Sequence, residues 1–167
     1  MTIFFCAVVM LGALVPPAAR AMEPPAAGVG AHGYDWLIGT WKCTQNAGQS
    51  IGGPATQTMV VAPSTGPGLA VRVRGTGFER SGYIAYVDGT WWQPFSYPNG
   101  NHYAESTTQT GAKTVWPGQY TDVSTGKTFP VRDTYTIVSA TEFQDLGEFQ
   151  SGPTWKPGYT GTCKKTT

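Results

Sequence analysis

The chain of 167 residues is close to electrically neutral, with 11 lysines and arginines against 10 aspartates and glutamates and a formal net charge of +1. A chain without a basic stripe or an acidic tail is not expected to bind nucleic acid. Its charged fraction is only 13%, whereas threonine and aromatic residues are abundant, and such a composition favours half-buried β-strands.

Residues 1–21 have the features of a cleaved signal peptide. An apolar run over residues 3–15 ends at Pro16-Pro17, and Ala19 and Ala21 are small residues at the two positions that signal peptidase reads. The run is too short to cross a membrane, because a spanning helix needs about 20 apolar residues. The sequence therefore predicts export to the periplasm or the medium, and a mature chain with no transmembrane segment.

Residues 22–33 are mostly proline, alanine and glycine and offer little to bury, so they are expected to form a flexible leader. One domain is predicted over residues 34–167, beginning with one helical turn at residues 34–38. After it, turn signals recur at short intervals and no segment has a sustained helical period. Strands are predicted at residues 39–45, 56–62, 69–75, 81–87, 90–97, 102–110, 113–121, 128–138, 142–150 and 159–165, with a glycine-rich loop at residues 47–54.

Sequential hairpins of about ten strands predict an all-β fold, a single antiparallel up-and-down β-barrel. An even number of strands lets the first and last strands pair antiparallel, which removes the sheet edges. Signal cleavage removes Cys6 and leaves Cys43 in the first strand and Cys163 in the last. Exported proteins favour disulfides, so a Cys43–Cys163 bridge is expected at the closure. An open β-sandwich is the alternative, since it also brings the chain ends together.

Residues 34–41, with the sequence YDWLIGTW, resemble the opening of lipocalin-type proteins of the calycin superfamily. The resemblance is closer to secreted bacterial proteins of the uncharacterised lipocalin-like group DUF1579. It implies that Trp41 lies across the closed end of the barrel. It also implies that Lys164, or its neighbour Lys165, packs on the indole face where lipocalins usually carry arginine, a contact of about 0.5–2 kcal/mol.

The aromatic segment around residues 83–103 is the first candidate for a ligand-binding wall. Alternate residues of a barrel strand face inward, so Trp91 and Trp92 must point to opposite sides. The prediction assigns Trp92 to the ligand-binding set. An aromatic-lined pocket with a few polar groups is the arrangement that small-molecule sites use, whereas a filled barrel without a cavity is the competing interpretation.

Polar residues within the predicted strands complete the candidate ligand-binding set. They are His102, Glu105, Asp133 and Tyr135, and those that face inward must be hydrogen-bonded or paired. If Asp133 faces inward, Tyr135 does as well, which gives an apolar face with one acidic group. No metal site is predicted, because the chain has only two histidines and no paired cysteine motif.

The predicted function is that of a secreted or periplasmic lipocalin-like protein that binds a small, fairly apolar or amphipathic molecule inside the barrel, without a cofactor. One alternative is a filled β-barrel that acts through its surface as an envelope or extracellular interaction module. The other is a cofactor-free isomerase, cyclase or decarboxylase, in which Glu105 or Asp133 acts as the acid–base group beside a tyrosine or His102.

Overall fold

The computed structural model describes residues 33–46 and 55–166. The predicted signal peptide, nearly all of the predicted leader and the glycine-rich loop at residues 47–54 lie outside the described residues. Within the described ranges the chain forms a 3₁₀ helix at Asp35–Leu37 and ten strands: β1 Gly39–Asn46, β2 Thr56–Pro63, β3 Leu69–Gly75, β4 Phe78–Val87, β5 Thr90–Ser96, β6 His102–Thr107, β7 Lys113–Asp122, β8 Lys127–Ser139, β9 Glu142–Ser151 and β10 Thr154–Thr166. No helix in these ranges is long and apolar enough to cross a membrane.

The ten strands close into one antiparallel barrel in which each strand pairs with its neighbours in sequence and β10 pairs with β1. The prediction of an all-β up-and-down barrel is confirmed. Cys43 lies directly opposite Cys163 in the β1–β10 pair, and the two form a disulfide across 120 residues of chain. The bridge is therefore located where the barrel closes.

Alternation along the strands follows the sequence pattern. In β3, Val71 and Val73 are buried in the core, whereas Arg72 and Arg74 are exposed. The turn between β4 and β5 has Asp88 at φ 49° and Gly89 at φ 81°. Positive φ at both central positions is the requirement of a type I′ hairpin turn, which explains the strength of the Asp-Gly signal.

The 3₁₀ helix and Trp41 seal one end of the barrel. The indole Nε1 of Trp41 donates a hydrogen bond of 2.6 Å to the carbonyl oxygen of Leu37, and both side chains are buried. The cation over the indole is Lys165, whose Nζ lies 5.2 Å from the ring centroid. The choice of Lys164 is corrected: it alternates with inward-facing Cys163, points outward and pairs with Glu142 at 3.4 Å.

The last strand begins earlier than the sequence pattern indicates. Pro157 and Gly158 read as strand breakers, yet β10 starts at Thr154 and passes through them. The register with β9 shifts between Pro157 and Tyr159, which is a β-bulge. The bulge changes the alternation and turns the Tyr159 side chain into the barrel.

Candidate functional site

The barrel interior has an aliphatic wall and a polar wall. Strands β2 to β4 supply the aliphatic wall, whose buried members are Val61, Leu69, Val71, Val73 and Ile84. Strands β4 to β10 supply most of the polar wall, whose buried members include Arg80, Gln93, Glu105, Asp133, Asp145, Tyr103, Tyr135 and Tyr159. Any ligand inside the barrel would therefore meet apolar surface on one side and hydrogen-bonding groups on the other.

Three of the five predicted ligand-binding residues face this interior. Glu105, Asp133 and Tyr135 are buried, with exposed fractions of 1%, 6% and 7%. They come from neighbouring parts of the barrel, since Glu105 lies on β6 and the other two alternate along β8. The structure thus brings these three side chains together on the polar wall.

The other two predicted residues, Trp92 and His102, lie on the outer surface. Trp91 faces inward and is 5% exposed, so its neighbour Trp92 points outward and is 44% exposed. In β6, Tyr103 and Glu105 face inward, which leaves His102 exposed with its Nδ1 3.1 Å from the carbonyl oxygen of Gly100. Neither side chain lines the barrel interior, because adjacent residues of a strand point to opposite faces of the sheet.

The sequence analysis missed Arg80, the buried cation of the polar wall. Its Nη1 donates a hydrogen bond of 2.7 Å to the Tyr103 hydroxyl, and its guanidinium carbon lies 5.1 Å from the Phe95 ring centroid and 5.5 Å from the Tyr103 ring centroid. The predicted strand began at residue 81, after this position. Strand β4 starts at Phe78. If the inward–outward alternation of this strand is continued back from Ile84 through Gly82, it places Arg80 on the inward face.

Tyr159 joins two buried carboxyl groups. Its hydroxyl oxygen lies 3.1 Å from Oδ1 of Asp133 and 3.1 Å from Oδ2 of Asp145. One phenol hydrogen can serve only one of these contacts, so the other needs a proton on a carboxyl group. Burial raises the pKa of Asp133 to about 6, and burial together with the charge of Asp133 raises the pKa of Asp145 well above its usual range. The pair formed by Asp133 and Asp145 therefore shares one proton.

A second hydrogen-bonded chain runs through Gln93. Its Nε2 donates to Oε2 of Glu105 at 2.6 Å, and its Oε1 accepts from the Tyr135 hydroxyl at 3.2 Å. Burial, followed by the charge of Asp133, raises the pKa of Glu105 well above its usual range. Burial thus favours the neutral form of Glu105, whereas the hydrogen bond from Gln93 and the charge of Arg80 favour its ionised form.

Two small spaces lie inside the barrel. The inner cavity has a volume of about 20 Å³ and is lined by aliphatic side chains and by Gln45, Gln57, Arg80 and Asp145. The mouth pocket, lined chiefly by tyrosines with Arg80, Glu105 and Asp133, has a volume of about 30 Å³. Each volume is enough for one or two waters. The interior is therefore nearly filled by its own side chains.

Three polar atoms around the inner cavity have no hydrogen-bond partner among the described residues. They are Oε1 of Gln45, Nε of Arg80 and Oδ1 of Asp145. Each belongs to a side chain that is at least nine-tenths buried, and all three side chains line the same space. Buried polar groups are nearly always satisfied, so this cluster is the strongest sign of a binding site in the interior.

No group of three or more histidine, cysteine, aspartate or glutamate side chains that could hold a metal ion occurs within residues 33–46 and 55–166. Among the described residues, the polar wall offers a ligand hydrogen-bonding groups, the Arg80 guanidinium and buried carboxyl groups.

Comparison with known proteins identifies a fold and no family. No protein-family model matches the sequence, and no curated protein sequence matches it. The chain is similar in structure to Rv2717c from M. tuberculosis, known from a crystal structure, with a TM-score of 0.57 and 16% sequence identity. The match covers 82% of this chain and 97% of that one. At this identity the likeness concerns the barrel fold alone.

Proposed function

We propose that the protein binds a small amphipathic molecule inside the barrel. The observation that supports this is the inner cavity, where the unpartnered atoms of Gln45, Arg80 and Asp145 face an aliphatic wall. An unsatisfied buried polar group costs about 1–3 kcal/mol, so a ligand whose head group pairs with any of these atoms gains that free energy on binding. Its apolar part would contact the wall formed by Val71 and Val73.

A ligand larger than water requires side chains to move. Met59 lines the inner cavity and is only partly buried. Its side chain is unbranched and flexible, so it can change rotamer without moving the strand. We therefore propose Met59 as the residue that makes room for the apolar part of the ligand.

We also propose that the protein acts after export and belongs with lipocalin-like calycin proteins such as the DUF1579 group. Support comes from the apolar segment at residues 3–15, the Cys43–Cys163 disulfide and the contact of Trp41 with a lysine of the last strand. Disulfides persist in oxidising compartments, which agrees with a periplasmic or extracellular location.

The test is native mass spectrometry of the protein purified from an oxidising compartment, followed by denaturing mass spectrometry. A small molecule that leaves on denaturation supports the proposal and gives the ligand mass. Met59→Ala should enlarge the inner cavity and retain more of the bound molecule. Val60→Ala, which changes an outward-facing neighbour, should behave as the wild type. Bare protein in all three samples would argue against a resident ligand.

A second candidate function is that of a surface interaction module. Tyr83 and Trp92 lie on the outer face of adjacent strands and are 53% and 44% exposed. Large exposed aromatic residues are enriched at protein interfaces, and a nearly filled interior agrees with a rigid scaffold. Analytical ultracentrifugation of the wild type and of Trp92→Ala tests whether the protein self-associates through this surface. If both proteins are monomers, the surface does not serve self-association.

The third candidate, a cofactor-free acid–base enzyme, rests on the mouth pocket. Glu105 and Asp133 both line it, whereas His102 lies outside the barrel. A neutral Glu105 would donate a proton while ionised Asp133 accepted one. Loss of turnover in Asp133→Asn with an unchanged fold would support this function once a substrate is found.

A further inference from the structure

Carboxyl groups outnumber cations on the polar wall. Glu105, Asp133 and Asp145 are buried there, and Arg80 is the one buried cation among the described residues. The charge of Arg80 lowers the pKa of all three carboxyl groups. One guanidinium balances only one negative charge, so three ionised carboxyl groups would leave an excess of negative charge on the polar wall.

Asp145 is the carboxyl group of this set that reaches the inner cavity. Its Oδ1 has no hydrogen-bond partner among the described residues. Asp145 and Gln45 lie on either side of Gly161, which is opposite both of them in the β1–β10–β9 register. Because Gly161 has no side chain, the gap between the two acceptors stays open toward the cavity.

The polarity of the unpartnered atoms defines the head group that fits. Two of the three, Oδ1 of Asp145 and Oε1 of Gln45, are acceptors, and the third, Nε of Arg80, is a donor. We propose that the ligand carries a protonated primary amine, and that Asp145 and the amide oxygen of Gln45 receive its N–H groups. This inference rests on the proposed function, since it names the ligand class of the same cavity.

Binding of an ammonium group exchanges one proton with solvent. In the free protein Asp133 and Asp145 share a proton through the Tyr159 hydroxyl, and in the complex the Asp145 carboxylate pairs with the ammonium, so one proton leaves for each ligand bound. The groups that act on Asp145 are Asp133 on β8, Arg80 on β4 and Tyr159 on β10. Tyr135 on β8 and Glu105 on β6 also interact with it. Asp133 opposes ionisation of Asp145, whereas Arg80 and the Tyr159 hydroxyl favour it.

The experiment compares three probes with the same benzyl body: benzylamine, benzyl alcohol and phenylacetate. Titration calorimetry near neutral pH with the exported, disulfide-bonded protein should show the tightest binding for benzylamine. The heat should differ between phosphate and HEPES buffers, neither of which is a primary amine, because released protons are taken up by the buffer. Asp145→Asn should weaken benzylamine binding by about tenfold or more, as expected for loss of a charge-assisted hydrogen bond.

Two controls separate the ligand class from the binding function. Glu79→Gln removes a carboxylate on the outer surface and should leave all affinities unchanged. Circular dichroism of the oxidised Asp145→Asn variant should match that of the wild type, which shows that the barrel still forms. Equal or tighter binding of benzyl alcohol or phenylacetate would overturn the amine class and leave the binding function intact. Failure of all three probes to bind would overturn both proposals.

Discussion

The ring of Tyr159 occupies the place where a side chain at position 147 would begin. A Cβ built on Gly147 would overlap Cε1 of Tyr159, far inside van der Waals contact. The two residues are opposite each other in the β9–β10 pair, and both are buried. The absence of a side chain on Gly147 therefore allows the Tyr159 hydroxyl to reach Asp133 and Asp145.

Gly147→Ala should destabilise the protein by about 1–3 kcal/mol, the usual range for overpacking a core. The added methyl group pushes the Tyr159 ring aside and breaks its contacts with the two carboxyl groups. Chemical denaturation monitored by tryptophan fluorescence measures the change. Gly66→Ala is the matched control, since its Cβ would meet only Ser64 Oγ at 4.0 Å, and equal stability of the two variants would contradict the steric account.

Adjacent tryptophans of β5 should respond very differently to truncation. Trp91 is buried and contacts Tyr34 and Tyr86, with ring centroids 4.8 Å and 4.9 Å apart, so Trp91→Ala should cost about 3–5 kcal/mol. Trp92 is half-exposed, and Trp92→Ala should change the free energy of unfolding by about 0.5 kcal/mol or less. Thermal denaturation of both variants provides the test, and a larger loss in Trp92→Ala would reverse the assigned faces of β5.

Removal of the disulfide should lower stability markedly. The bridge joins residues separated by 120 positions, and loop-closure entropy assigns about 4–5 kcal/mol to a crosslink of this length. The double variant Cys43→Ala and Cys163→Ala should therefore unfold at much lower denaturant concentration than the oxidised protein. The reduced wild type should match the double variant, and an unchanged midpoint in both would mean that barrel closure does not depend on the bridge.

Stability should fall as the pH rises, because interior carboxyl groups have raised pKa values. A folded protein that holds these protons more tightly than the unfolded chain is most favoured at low pH and loses that advantage as the pH increases. For Asp133 the loss occurs between its ordinary pKa of 3.8 and about 6. The pKa of Glu105 is also raised well above its ordinary value by burial, so this residue contributes a loss of the same sign.

Glu105→Gln isolates one of these contributions. The amide can still accept the hydrogen bond from Gln93 but does not ionise, so the variant should gain stability relative to the wild type as the pH rises from about 5 to about 8. Denaturation midpoints across this range measure the difference. The denaturation midpoint of Glu79→Gln should change with pH in the same way as that of the wild type. The proposed pH dependence fails if the midpoint of Glu105→Gln also follows the wild type.

The elements that sequence reasoning predicted well are those with strong local signals. The Asp88-Gly89 turn and the alternation of Val71 and Val73 with arginines fix a hairpin and a strand face from neighbouring residues alone. Trp92 shows where such reasoning fails. Two adjacent tryptophans in a strand indicate only that their side chains point to opposite faces, without indicating which one faces the core. The choice between Trp91 and Trp92 depends on which side of the sheet becomes the core.

The sequence by itself determined an all-β barrel of ten strands, because turn residues and apolar–polar alternation specify strands from neighbouring residues alone. It also determined the pairing of Cys43 with Cys163, because closure of the barrel brings the first and last strands together. Only the tertiary structure decided the polar wall. Arg80, Asp145 and Tyr159 come from β4, β9 and β10, and a β-bulge turns Tyr159 inward. Their meeting depends on the register of distant strands and on space left by Gly147 and Gly161, which no local pattern encodes.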